Sequence, residues 1–137
     1  MKKVVALHNI AHLALPFLFL EIFSLLRGFS ILLLISIFSG AFLPDIDHLA
    51  IWASRYFRNF RSFFKYCLKS SRYRNSFLLF HNFPTVIALL IFLPWAFLMN
   101  FYFGIFILSM ACHLFLDFLA DVFALKIHSH WKVKRRI

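Results

Sequence analysis

The chain of 137 residues is 63% hydrophobic and 15% charged, against roughly 45–50% apolar residues in ordinary soluble domains. A domain this small has too little interior to hide that much apolar surface, so the composition excludes an ordinary water-soluble fold and points to a bilayer as solvent. The net charge of +10 calls for an anionic partner, and the two cysteines form neither a CxxC pair nor a secreted disulfide framework.

The opening, MKKVVALHNIAHLALPFLFL, begins like a secretory signal. Two histidines interrupt its apolar run and no small-residue cleavage site follows, which predicts a retained helix over about 4–26. Arg27-Gly28 marks a tight break. A second apolar segment, 29–43, runs into LPDIDH, and a polar, basic stretch covers 53–80. The third segment is 83–100, a break is expected around Asn100 to Gly104, and the fourth is 104–125. A bilayer-crossing helix needs about 20 residues, with roughly 17–25 usual. The second segment is short and is expected to continue through its motif. The pattern predicts an all-α integral membrane protein of about four transmembrane helices in two hairpins, a single membrane-embedded domain over 1–137.

Charge orients this arrangement. Lys2 and Lys3, the seven basic residues from Arg55 to Arg74 and the five from Lys126 to Arg136 fall on one side, and Arg27 falls on the other. Positive residues mark the cytoplasmic face, so both termini and the basic loop are expected to be cytoplasmic, in a plasma or inner membrane. The interleaved Arg, Phe and Tyr of the loop could also contact nucleic acid. Anionic lipid headgroups are the better match, at about 1 kcal/mol per Lys or Arg near a membrane surface. The bilayer and its anionic headgroups are therefore the expected partners, and nucleic acid is not.

Four of the five carboxylates lie in two pairs, Asp45/Asp47 and Asp117/Asp121, and His8, His12, His48, His81 and His113 fall on the same side of the four-span arrangement. His8/His12 and His113/Asp117/Asp121 are spaced by four, so each set lies on one helical face. At about 1.5 Å per residue, Asp117 lies roughly 13 Å from Lys126, and an ionised Asp facing lipid at depth costs about 2.5–3.5 kcal/mol or more. A polar partner, a water-filled cavity or a cation must compensate. Pro44 is expected to break the helix before Asp45 and free the DID carboxylates to turn toward a common point. Bland readings exist for the outliers: His8 at the headgroups, Asp121 paired with Lys126, and His128 and His130 in solvent. Asp45, Asp47, His48, His113 and Asp117 form a cluster of costly groups whose mixed His and carboxylate ligands suit zinc foremost, or manganese or iron. An open coordination position would let such a divalent ion activate water.

At these residues the sequence resembles a family of inner-membrane-associated, metal-dependent hydrolase-like proteins, sometimes described as LexA-binding. The resemblance rests on LPDIDH at Leu43–His48 and HLFLD at His113–Asp117, with His12 standing for the family's N-terminal histidine and His8 the alternative. It covers most of the chain and implies a membrane-bound hydrolase acting on phosphoesters or lipids. The metal ligands implied are His12, Asp45, Asp47, His48, His81, His113 and Asp117. Asp45 and Asp117 are the candidate catalytic carboxylates. The middle motif departs: only His81 is present in LLFHNFPTV, so one histidine of the family pattern is missing. That departure supports the alternative of a non-catalytic, degenerate member with a structural polar or metal cluster and a docking loop. An ion or proton pathway is a third reading. It is opposed by the far side, where Glu21 is the only carboxylate.

Overall fold

The computed structural model describes residues 2–47 and 79–124. Helix α1 spans Lys2–Arg27 and ends at Gly28, whose positive φ of 80° reverses the chain while its N–H still bonds the Ser24 carbonyl at 2.9 Å. Two residues on, Ser30 caps α2 (Ile31–Phe42) by accepting the Leu33 N–H at 3.1 Å. Pro44 has no N–H to extend the ladder, and the backbone tightens into a 3-10 turn at Leu43–Asp45. The expected break before Asp45 is present as this turn.

Helix α3 (Phe83–Met99) starts from Asn82, whose side chain accepts the Thr85 N–H at 2.9 Å, with proline in its first turn. The break expected around Asn100 to Gly104 narrows to Asn100 alone. Its own N–H bonds Ala96 at 3.0 Å, and its side chain accepts the N–H groups of Tyr102 and Phe103 to start α4 (Phe101–Leu119). Because the backbone N–H of Asn100 serves the end of α3 and its side-chain oxygen the start of α4, no further loop is needed. Gly104 therefore lies inside α4, where a Cβ would collide with the Phe97 ring. A π-helical turn, Ala120–Ala124, prolongs α4.

The described residues are helical throughout their regular structure, and α4 is the helix around which the others pack: most closely α2 and α3, then α1. One apolar cluster joins Leu33 and Ile37 of α2 to Ile105 of α4, and another joins Val86 of α3 to Met110 and Leu114. Between α2 and α4 the backbones come close. Gly40 faces the Phe106 carbonyl, and the Ser109 hydroxyl donates to the Ile37 carbonyl at 2.8 Å. Small residues at such a contact let the two backbones approach closely.

Two helices are long and apolar enough to cross a membrane, Leu7–Arg27 and Phe101–Phe123, while Ile31–Asp45 and Phe83–Met99 are apolar but shorter. Large apolar side chains remain exposed, Leu25 at 81% and Leu98 at 80% among them. Arg27 closes one end of the bundle, its guanidinium 5.2 Å from the centre of the Phe101 ring. His48, most of the basic loop and the C-terminal tail lie outside the described residues.

Gly40→Val places a branched side chain against the Phe106 carbonyl. A loss of about 1–3 kcal/mol is expected, read as a lower unfolding midpoint in detergent, whereas Gly28→Asn, at the exposed positive-φ turn, should change it little.

Candidate metal centre

The cluster forms because the helix ends alternate. His8 and His12 lie near the start of α1, Asp45 and Asp47 follow the end of α2, His81 precedes α3, and His113 and Asp117 lie in the second half of α4. All of them reach the end of the bundle opposite Arg27. Each pair spaced by four presents both side chains on one helical face.

Asp117 is the centre of the arrangement. Its Oδ1 lies 3.0 Å from His8 Nε2 and 3.1 Å from His12 Nε2. Its Oδ2 lies 2.8 Å from His81 Nε2 and 3.2 Å from His113 Nε2. Asp45 approaches from the side, its Oδ1 3.6 Å from His113 Nε2, and its side chain is 48% exposed where that of Asp117 is 14%. The rings of His8 and His12 have centroids 4.2 Å apart, and those of His12 and His113 4.4 Å.

One contact constrains the charge of the whole cluster. The Nδ1 atoms of His12 and His113 are 3.1 Å apart, so one must donate and the other accept. A neutral ring that donates through Nδ1 has a bare lone pair at Nε2. Whichever of the two donates, that lone pair faces an oxygen of Asp117, at 3.1 or 3.2 Å. Two neutral rings would thus set a lone pair against a carboxylate in a buried site. A positive charge has to intervene, either a second proton on one ring or a cation between the groups. Both Nε2 atoms are buried and, despite their nearness to Asp117, neither has hydrogen-bond geometry toward any partner among the described residues. The ring that donates through Nδ1 leaves its Nε2 lone pair to a cation while the other keeps its proton on Nε2, and that lone pair with the carboxylate oxygens fits a divalent ion such as zinc.

Asp47 has a different role. It is buried, and its Oδ2 accepts the N–H groups of Phe80 and His81 and lies 3.4 Å from His81 Nδ1. It therefore orients His81, whose other nitrogen faces Asp117. A carboxylate behind the far nitrogen of a histidine is the usual support for a metal-binding imidazole. Burial disfavours charge on both groups. The His81 contact and the Phe80 N–H nevertheless hold the Asp47 carboxyl below its ordinary range, and Asp117 and Asp47 together push the His81 imidazole up to about 10.

Of the residues singled out in the sequence, His12, Asp45, His81, His113 and Asp117 converge, and Asp47 stands behind His81. His48 lies outside the described residues. Asp121 falls on the π-helical turn, outside the two groups of atoms that could hold an ion: His8, His12 and Asp117, and Asp45, His81 and His113. The sequence ranked His8 below His12, whereas the structure brings both onto the same oxygen. The signal was their spacing of four, which aims both rings at one neighbour. No family model, curated protein or solved structure matches this chain.

Asp47→Leu strands two N–H groups and the His81 ring nitrogen. A loss of about 1–3 kcal/mol for the buried donors is expected, with Asp47→Asn losing less because one acceptor oxygen remains; unfolding curves in detergent make the comparison.

Proposed function

We propose that this chain is an integral membrane protein that holds a divalent metal ion, zinc foremost, and hydrolyses a phosphoester or lipid ester at the cytoplasmic face of the inner membrane. The observation that carries this reading is the convergence of one half-buried carboxylate and four imidazoles at one end of an apolar bundle. The resemblance of LPDIDH and HLFLD to membrane-bound hydrolase-like proteins supports the same class.

On this reading Asp117, His8, His81 and whichever of His12 and His113 donates through Nδ1 would hold the metal, and Asp47 fixes His81. A bound divalent ion supplies Lewis acidity and makes water acidic enough to attack near neutral pH. Asp45 is the group for proton transfer. It is the most exposed carboxylate of the cluster, so it meets solvent and substrate together. It takes the proton of the attacking water as the new oxygen bond forms at phosphorus or carbonyl carbon. It then gives that proton to the alkoxide as the old ester bond breaks. The basic loop gathers anionic headgroups at the same face, since its Lys and Arg follow LPDIDH directly in the chain.

The test uses full-length protein purified in mild detergent without chelator or a histidine tag. Bound metal is measured by mass spectrometry, and turnover with a nitrophenyl phosphodiester and a fluorescent phospholipid. The wild type is expected to carry transition metal and to turn over one of the two substrates. Asp45→Asn should keep the metal and lose about 10²–10⁴-fold in turnover, and Asp47→Asn should weaken metal affinity about 10–100-fold. Folded protein without metal would sink the metal-dependent reading. Metal without turnover on either substrate would favour the structural alternative.

A further inference from the structure

We infer that the end of the bundle opposite the His/Asp cluster seats an anionic phospholipid, its phosphodiester held by Arg27, Tyr102 and Asn100. This goes beyond the hydrolase reading and rests on none of its residues.

The side chains at this end have spent their acceptors and kept their donors. Arg27 lies over the Phe101 ring at 5.2 Å and forms no ion pair among the described residues. Glu21, the nearest carboxylate in the chain, stands six residues earlier and so points about 240° around the helix. Beside Phe101, with ring centroids 5.6 Å apart, is Tyr102. The Ser30 hydroxyl accepts the Leu33 N–H at 3.1 Å and donates to the Tyr102 oxygen at 3.4 Å. The phenol's own proton is then left to donate outward. Asn100 spends its side-chain oxygen on the N–H groups of Tyr102 and Phe103, at 2.8 and 3.2 Å. Its exposed NH₂ has no partner among the described residues. What remains is a guanidinium, a phenolic O–H and an amide NH₂.

A ligand for such a set carries negative charge and several oxygen acceptors. A phosphodiester has both, and a guanidinium meets it with paired N–H···O contacts. The surroundings choose its source. Leu25, Leu26 and Phe29 flank Arg27 in the chain, Leu98 and Met99 precede Asn100, and these five are among the most exposed apolar side chains of the molecule. A charged donor set rimmed by exposed apolar side chains matches an amphipathic molecule, with its acyl chains on the rim, rather than a free ion in water. The unpaired charge chooses the headgroup. A zwitterionic lipid would bring an ammonium with no acid to meet it, whereas phosphatidylglycerol brings the anion without a cation.

The test titrates full-length protein in mild detergent with phosphatidylglycerol or phosphatidylcholine and counts bound lipid by native mass spectrometry. Wild type is expected to hold phosphatidylglycerol more tightly than phosphatidylcholine. Arg27→Gln should bind it about fivefold more weakly. Tyr102→Phe keeps the ring, removes the O–H donor and should also weaken binding about fivefold. The basic loop follows the opposite end of α2 and is the same in every variant, so its own lipid binding cancels in the comparison. Circular dichroism checks the fold of each variant, and should Arg27→Gln fail to fold, Tyr102→Phe still decides. A role of Arg27 confined to ending α1 and stacking on Phe101 would leave lipid affinity unchanged, and equal affinity in wild type and the folded variants overturns the inference. Equal affinity for the two lipids overturns the anionic headgroup. Displacement of the lipid by inorganic phosphate overturns the lipid as the source.

Discussion

The carboxylate of Asp117 sits in an apolar bundle and has to be compensated by positive charge. In a medium with little water an ionised acid is stable only where donors or cations surround it, and here four imidazoles approach it, two on each oxygen. The Nδ1 contact between His12 and His113 then removes the option of leaving every ring neutral with no cation between them and Asp117. An added proton or a cation has to compensate the carboxylate at the two Nε2 atoms that have no hydrogen bond.

The rest of the fold serves that convergence. Antiparallel helices bring the beginning of α1 and α3 beside the ends of α2 and α4, so residues more than a hundred positions apart, His12 and His113 among them, touch. The close approach of α2 to α4 at Gly40 and Ser109 holds the end of α2, and with it Asp45 and Asp47, against the α4 face that carries His113. The 3-10 turn at Pro44 then lets the two aspartates diverge. Asp47 turns inward to support His81, and Asp45 remains at the surface. Two acids separated by a single residue thus acquire different chemistry from their burial.

Much of this was legible from one-dimensional information. The apolar runs located the four helices because each is apolar along most of its length. The spacing of four made His8/His12 and His113/Asp117 into facial pairs, and the lone Pro before Asp45 marked a change of backbone. The limits were also physical. Asn100 read as the edge of a loop because nothing in the sequence says that one residue will end one helix with its backbone N–H and start the next with its side chain. Asp47 read as a ligand because its distance from His81 depends on how the segments fold back. His8 read as an interfacial residue because its alternative partner, Asp117, is far away in the chain.

Composition, periodicity and the density of Asp and His near one set of helix ends were enough to determine an apolar helical protein with a polar cluster on one side. These follow from local rules: side-chain hydrophobicity, the helical repeat and the cost of charge in an apolar environment. Which oxygen of Asp117 meets which histidine, and which aspartate supports His81 and which faces water, were decided by tertiary structure alone. Those features depend on distances of about 3 Å between residues of different helices, and such distances are set by packing against α4.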